Sequence, residues 1–186
     1  MLERKDVDTM FGYPGGSVIP IYDELYDSSI RHVLVRHEQC AAHMADGYAR
    51  ACGKPGVCLA TSGPGATNLI TGVATAYADS VPMIALTGQV GTGSLGLGAF
   101  QEVDAYSLLM PITKHNFRVL DVNKLPHVID EAWEICQTGR PGPVHVDLPV
   151  DQMNASVDEC HLDDEYGIKP VSENLDGIGK AVEWIK

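Results

Sequence analysis

One carboxylate, Glu38, stands where a parallel α/β protein could use it to transfer a proton. It follows an apolar run at residues 33–35 that has the length and side chains of a strand buried on both faces, and it precedes a segment in which alanine recurs at helical spacing. Ligands bind at the carboxyl ends of parallel strands, where loops diverge and the next helix presents unpaired N–H groups. A glutamate in the first turn of a helix can also serve only to complement the helix dipole.

Three other loops share this expected edge of the sheet. Pro14-Gly15-Gly16, Gly63-Pro64-Gly65 and Gly88-Gln89 each follow a predicted strand, and glycine lets the backbone approach a ligand closely. A lone carboxylate among small, apolar loops is suited to accept and return a proton near neutral pH. No second acid, phosphate clamp or metal-ligand set stands beside it in the sequence. The residues therefore predict half of a site, whose cofactor and electrophile come from elsewhere.

Strand and helix signals alternate along the chain. The predicted strands cover residues 8–13, 33–35, 56–61, 82–87, 116–120 and 144–149. The predicted helices cover residues 17–27 with Ser17 as the cap, 38–53, a small-residue stretch from Asn68 to Ala78, and an amphipathic segment at 124–138. The glycine-rich residues 88–102 predict a mobile lid or a disordered surface excursion. The alternation predicts an α/β fold with an open parallel sheet of about six strands and helices on both faces.

Formal motifs elsewhere in the sequence are weak. Residues 91–96 match the G-x-G-x-x-G dinucleotide fingerprint, but the loop continues where that fingerprint requires a helix to begin. His37 and His43 are spaced too widely for a helical zinc pair, Ser62 is not in a nucleophile elbow, and there is no Walker A sequence. The remaining histidines considered are interpreted as structural: His115, His127 and His145.

The composition argues against several function classes. The 186 residues include 13 Lys and Arg and 25 Asp and Glu, giving a formal net charge of −12, which repels nucleic acid and anionic membranes. The five cysteines are scattered without a C-x-x-C pair, as is typical of a reduced cytosolic protein, and we interpret them as small core or surface residues. Neither a secretion signal nor a membrane span is predicted. We therefore expect a cytoplasmic protein.

The two ends of the sequence predict a domain cut from a longer polypeptide. The first strand begins almost at once, and the sequence after Pro149 is acidic and irregular until a new helix begins near Leu175. We expect one domain at residues 1–151. Residues 152–186 would then be an acidic linker and the truncated start of the next, central domain.

Seven ordered motifs resemble the pyrimidine-binding domain of the acetohydroxyacid (acetolactate) synthase family of thiamine diphosphate enzymes. They are FGYPGG at 11–16, RHEQ at 36–39, ADGYAR at 45–50, TSGPGATN at 61–68, GQV at 88–90, AFQE at 99–102 and GRPGP at 139–143. The resemblance covers nearly everything up to Asp151. Other thiamine-dependent enzymes share the glutamate and the Ser-Gly-Pro-Gly loop, whereas AFQE followed by Lys114-His115 is similar to the synthase in particular.

The resemblance implies that Glu38 hydrogen-bonds N1′ of the aminopyrimidine of thiamine diphosphate, which promotes removal of the proton from thiazolium C2. Pyruvate would be decarboxylated and its two-carbon unit transferred to a second 2-oxo acid. The product would be 2-acetolactate or 2-aceto-2-hydroxybutyrate, for branched-chain amino acid biosynthesis. The other cofactor-site residues that the resemblance implies are Pro14, Gly15, Gly16, Gly63 and Asn68.

Further implied roles concern the substrate, other cofactors and partners. Gln101 would hydrogen-bond the reacting carbonyl or carboxylate, Phe100 would shape the substrate channel, and Arg140 matches a position that contacts a structural FAD. Mg²⁺ would be held by a Gly-Asp-Gly motif on a separate domain, and this sequence lacks that motif. The site would be shared between subunits of a dimer or larger oligomer that could include a small regulatory subunit. We therefore expect the isolated chain to be inactive and to bind the cofactor weakly.

Three positions depart from the family pattern: Val150 replaces a lysine, Gly91 a proline and Gly98 a polar residue. The missing lysine weakens the FAD prediction, and the extra glycines suggest a looser lid.

Three alternatives stay open. The chain could belong to another thiamine-dependent 2-oxo acid decarboxylase or carboligase, it could be a non-catalytic fragment that pairs with intact subunits, or it could be a nicotinamide-binding domain. The sequence does not predict the preference between pyruvate and 2-oxobutyrate, feedback regulation, or an oligomeric state beyond a dimer.

Overall fold

The centre of the structure is a six-stranded sheet in which every strand pairing is parallel. The computed structural model describes residues 1–157 and 182–184, and within them the sheet has the spatial order β2-β1-β3-β4-β6-β5. The strands are β1 (Thr9–Gly12), β2 (Arg31–Leu34), β3 (Gly56–Ala60), β4 (Met83–Gln89), β5 (His115–Arg118) and β6 (Pro143–Pro149).

Helices cover both faces of this sheet. They are α1 (Ile19–Tyr26), α2 (Glu38–Cys52), α3 (Pro64–Asn68), α4 (Ile70–Ala78), α5 (Ala105–Leu109), α6 (Leu125–Gln137) and α7 (Val150–Met153). In β3, Val57 and Leu59 join the core beneath α1 and α6, while Cys58 and Ala60 join the core beneath α2, α4 and α5, since side chains alternate along a strand. The predicted α/β fold of about six parallel strands with helices on both faces is confirmed.

The strand order reverses at β1. From β1 the chain runs through α1 to β2 on one side, and then through α2 to β3 on the other side of β1. Loops that leave two such neighbouring strands diverge in opposite directions, which opens a crevice at their carboxyl ends. The crevice at the ends of β1 and β3 is therefore the place where this fold can hold a ligand.

The expectation for the second strand was wrong in its burial. Residues 33–35 were expected to form a strand buried on both faces, but β2 is an edge strand that pairs only with β1, and Leu34 is 52% exposed. The apolar run looked like a central strand because Val35, just beyond β2, is a core residue with 3% exposure.

Two expectations for the helices were also wrong. Ser17 does not cap α1; it lies in a 3₁₀ turn at Gly16–Val18, and α1 has no side-chain cap. The small-residue segment is not one helix after a stiff loop: α3 already begins at Pro64 and α4 follows at Ile70. The short helix α5 was not predicted. The C-terminal stop of α2 was predicted correctly, because Gly53 adopts the left-handed conformation with φ +68°.

Other sequence-based expectations fall on the periphery of the fold. Cys58 and Cys136 are buried and Cys40 and Cys52 are exposed, as small core or surface residues should be. Most of the expected acidic linker and C-terminal helix lies outside the described residues, as does the fifth cysteine; residues 182–184 are helical. In the described part of the chain, no helix combines the length and hydropathy that crossing a bilayer requires.

Gly56 and Gly47 form a matched pair for testing the contact between β3 and α2. A Cβ on Gly56 would lie 2.1 Å from the Ala45 carbonyl oxygen, whereas a Cβ on Gly47, within α2, meets nothing within 4 Å. We expect Gly56→Ala to lower the free energy of unfolding by about 1–3 kcal/mol. Gly47→Ala should raise it by about 0.5–1 kcal/mol, because alanine is the better helix former. Urea denaturation measures both; equal effects of the two substitutions would contradict the packing described.

Candidate active site

Glu38 is the first residue of α2, directly beyond the carboxyl end of β2. The preceding residue, His37, is extended and its Nδ1 accepts a hydrogen bond from the Gln39 amide (3.2 Å), which begins the helix. Glu38 is only 9% exposed. The Asn68 side-chain amide donates to Glu38 Oε2 (2.9 Å), and a Cβ added to Gly65 would lie 3.4 Å from Oε1. The structure thus brings Glu38, Asn68 and the Ser-Gly-Pro-Gly loop together, as the sequence predicts.

The loops after β1 and β3 are tied to each other across the crevice. The hydroxyl oxygens of Ser17 and Thr61 lie 2.9 Å apart, and the Ser62 amide donates to Ser17 Oγ (2.9 Å). Burying these polar groups requires such partners, since an unpaired buried polar group costs about 1–3 kcal/mol. Sequence analysis missed this tie because it interpreted Ser17 as a local helix cap rather than a contact 44 residues away.

The two neighbouring glycines of the loop after β1 differ in the space around them. A Cβ on Gly15 would lie 2.4 Å from Thr61 Cβ, so this glycine is required by the packing of the two loops. A Cβ on Gly16 would meet nothing within 4 Å, so there is open space beside Gly16. Pro14 is exposed at the start of the same loop.

The far end of the glycine-rich segment returns to this edge of the sheet. Gly63 has φ +57°, and a Cβ there would lie 2.5 Å from the Gln101 carbonyl oxygen; Gln101 itself has φ +56°. Phe100 is 87% exposed. The structure therefore places Gln101 beside the Ser-Gly-Pro-Gly loop and presents the aromatic ring outward.

The G-x-G-x-x-G match in this segment is a false positive, as expected from the sequence. A 3₁₀ turn covers Thr92–Ser94, and turns continue past Gly96 to Gly98 without a helix. The two glycines are needed for the turn itself, since Gly96 has φ +78° and Gly98 has φ +70°.

A tyrosine and a histidine that contact each other were not singled out from the sequence. The Tyr22 hydroxyl is 3.1 Å from His32 Nε2, and a Cβ on Gly12 would lie 2.7 Å from the same hydroxyl. Burial, with a smaller contribution from the charge of Glu38, raises the pKa of Tyr22 well above its ordinary value. Burial lowers the pKa of His32. Both groups are therefore held in their neutral forms.

A second buried polar group set joins β4, β5 and β6. The Thr87 hydroxyl donates to Asp147 Oδ1 (2.8 Å) and lies 2.8 Å from His145 Nε2, while Arg118 Nε and Gln89 Nε2 donate to Asp147 Oδ2 (2.9 and 3.2 Å). The one hydroxyl proton of Thr87 is used by Asp147, so Nε2 of His145 carries its own proton. Burial lowers the pKa of His145 to about 3, so the ring is neutral and structural, as interpreted from the sequence. The sequence contains a signal for this buried set, because β4 and β6 each carry two polar residues at alternate positions of an otherwise apolar strand.

Arg140 lies at the opposite edge of the sheet from Glu38, because it precedes β6 whereas Glu38 follows β2. Its Nε donates to Ser80 Oγ (2.6 Å) and its Nη2 donates to the Ala78 carbonyl (3.1 Å), at the C-terminal end of α4. The structure does not bring Arg140 together with the other predicted site residues.

The fold and this edge define a cofactor-binding α/β domain: a parallel sheet whose reversal point carries a buried carboxylate and small-residue loops. Residues 1–108 match the family described as thiamine pyrophosphate enzyme, N-terminal TPP binding domain, and the chain belongs to that family.

Within this family, the chain is similar to acetolactate synthase large subunits. The chain is 60% identical over 157 residues to the "Probable acetolactate synthase large subunit" of Methanocaldococcus jannaschii, 58% over 158 residues to the acetolactate synthase large subunit of Corynebacterium glutamicum, and 55% over 157 residues to the acetolactate synthase isozyme 2 large subunit of Escherichia coli. Each match covers 84% of this chain but only 27%, 25% and 29% of the respective relative. The chain thus spans about a quarter of the length of these relatives, and the resemblance drawn from its motifs is confirmed.

The two loop glycines allow a test of the crevice as described. We expect Gly15→Ala to destabilise the fold by about 1–3 kcal/mol, because the new methyl group collides with Thr61. Gly16→Ala should change the free energy of unfolding by less than about 0.5 kcal/mol, because its methyl group enters open space. Urea denaturation of the two variants beside the wild type is the measurement, and a Gly16→Ala variant as unstable as Gly15→Ala would show that the loops do not meet in this way.

Proposed function

We propose that residues 1–151 form the pyrimidine-binding domain of a thiamine diphosphate-dependent acetohydroxyacid synthase. The observation that carries the proposal is the buried carboxylate of Glu38 at the reversal point of the sheet, held by Asn68 and facing Gly65 of the loop after β3. The acetolactate synthase relatives, at 55–60% identity, support the choice of this reaction within the thiamine family. The whole reaction decarboxylates pyruvate and transfers the two-carbon unit to a second 2-oxo acid.

The residues of the crevice fit the aminopyrimidine half of the cofactor. Glu38 offers a carboxylate that can share a proton with a ring nitrogen, and its burial excludes competing water. Asn68 fixes the orientation of Glu38 through Oε2, which leaves Oε1, on the Gly65 side, directed to the ligand. When bound, the cofactor supplies the electron sink for decarboxylation and two-carbon transfer.

Tyr22 is close enough to Glu38 for the charge of the carboxylate to raise its pKa. The phenol is neutral and its hydroxyl lies 3.1 Å from His32 Nε2, so Tyr22 forms no ion pair with Glu38. Glu38 therefore stays available for the ring nitrogen.

The remaining components are proposed from the resemblance. Mg²⁺ and the diphosphate would be bound by a separate domain, with the site shared between subunits of a dimer or larger oligomer and a regulatory small subunit as a further partner. Phe100 and Gln101 would face the substrates. The ring of Phe100 is exposed in this chain, as is expected of a side chain that another domain would cover. FAD is the weakest component, since Arg140 already donates to Ser80 and Ala78 at the edge of the sheet away from Glu38. A cytoplasmic location fits the four free cysteines of the described residues.

Replacement of Glu38 tests the proposal. We expect the complete gene product, supplied with thiamine diphosphate, Mg²⁺ and FAD, to form acetolactate from pyruvate. In Glu38→Gln the rate should fall at least about 100-fold, because the amide cannot accept and return the proton. The matched control is Glu24→Gln, a change at an exposed position of α1 that should leave the rate unaltered.

Three results would count against this proposal. Acetaldehyde in place of acetolactate from the wild type would assign a decarboxylase instead. A folded, cofactor-loaded wild type without product from pyruvate would point to a non-catalytic partner. Full activity in Glu38→Gln would exclude the proton-transfer role.

A further inference from the structure

Two carboxylates hold the glycine-rich loop between β4 and α5. At its beginning, the Thr92 amide and hydroxyl donate to Asp151 (2.9 and 2.5 Å), which lies in α7 beyond the end of β6. At its far end, Glu102 accepts hydrogen bonds from the Gly96 amide on Oε1 and from the Ala99 amide on Oε2, the latter at 2.9 Å. The expectation of a disordered surface excursion therefore does not describe this loop, which has a defined internal structure.

Glu102 holds the turn at residues 96–102 through both its side chain and its backbone. Its side chain receives two backbone amides on separate oxygens, while its own amide donates to the Ala99 carbonyl (2.9 Å). Such charge-assisted bonds to backbone N–H groups are among the stronger hydrogen bonds in proteins. They lower the pKa of Glu102, with the amides of Gly96 and Ala99 as the largest causes, so the carboxylate is ionised near neutral pH.

The segment that Glu102 folds contains Gln101, whose backbone lies against Gly63, and its neighbour Phe100. Gln101 precedes Glu102 directly and is held at φ +56°, a conformation that costs a non-glycine residue energy, with its backbone against Gly63. A left-handed residue persists only where its surroundings fix it. On one side the surroundings are Gly63, and on the other they are the turn that Glu102 closes.

We infer that Glu102 is a positioning residue: its carboxylate folds residues 96–102 so that Phe100 and Gln101 are presented at the Gly63 side of the crevice. The inference rests on the proposed function, because it gives Phe100 and Gln101 their task towards substrate. Glutamine cannot replace Glu102, because the two amides donate to separate carboxylate oxygens and the NH₂ group of glutamine would face one of these donors. Asp151 cannot replace it either, because Asp151 holds only the beginning of the loop.

The test uses Glu102→Gln in the complete gene product and reads two quantities. Hydrogen exchange followed by mass spectrometry reports the protection of the amides in residues 95–102, independently of any reaction. Steady-state kinetics report KM and kcat for pyruvate. We expect amide exchange and KM each to rise about tenfold, which is the loss of one charge-assisted bond, with a smaller change in kcat and an unchanged melting temperature.

Two glycines provide a matched pair that leaves Glu102 in place. A Cβ would meet nothing within 4 Å at either Gly96 or Gly93, but only Gly96 has a positive φ, at +78°. Gly96→Ala should therefore strain the turn and raise exchange and KM in the same direction as Glu102→Gln. Gly93→Ala should leave both quantities as in the wild type.

The outcomes separate this inference from the proposed function. Unchanged amide exchange in Glu102→Gln would overturn the inference, and so would raised exchange without a change in KM. The inference would also be overturned if Glu102→Gln lowered the melting temperature enough to explain the kinetic loss and Gly93→Ala lowered it as well. Glu102 would then be a purely structural residue. A wild type that makes no product from pyruvate would refute the proposed function, and with it the task assigned to Phe100 and Gln101.

Discussion

The site depends on the reversal of strand order at β1. Because β2 and β3 flank β1 on opposite sides, the loops after β1 and β3 must diverge, and the chain keeps the resulting crevice from collapsing by tying Ser17 to Thr61 and Ser62. That tie requires Gly15 and leaves Gly16 beside open space. Glu38 reaches the same crevice from the end of β2. The meeting of Glu38, Asn68 and the loops after β1 and β3 therefore depends on one topological feature.

The glycines of this domain are not interchangeable. Gly15 and Gly56 are required because another part of the chain lies where a side chain would be, whereas Gly96 is required by its backbone conformation. Gly16 satisfies neither condition, and a side chain there would enter open space. In the motif Phe-Gly-Tyr-Pro-Gly-Gly, the adjacent glycines thus differ: packing requires Gly15, whereas neither packing nor backbone conformation requires Gly16.

Much of the fold could be predicted because the apolar runs of buried parallel strands and the spacing of apolar residues in helices are visible in the sequence. Apolar runs identified β3, β4 and β6, and Gly53 marked the end of α2, since these signals are local. The role of β2 as an edge strand could not be predicted, because burial depends on which strands become neighbours.

The carboxylate of the candidate site could be predicted from the sequence, but most of the hydrogen bonds that hold the surrounding loops could not. Glu38 follows a predicted strand and begins α2, whereas Asn68, the last residue of α3, was implied only by the family resemblance. The partners of Ser17, Thr87, Asp147 and Glu102 could not be assigned in advance, because a polar side chain does not reveal in the sequence which distant group will satisfy it. The same limit applies to Arg140, whose partners in this chain are Ser80 and Ala78.

The most direct test of the central claim is a crystal structure of the complete gene product with thiamine diphosphate and Mg²⁺. We predict that the aminopyrimidine lies in the crevice between the loops after β1 and β3, with its N1′ within hydrogen-bond distance of a Glu38 carboxylate oxygen and the Asn68 contact retained. An aminopyrimidine bound elsewhere, or bound in the crevice with Glu38 directed away from the ring, would contradict it.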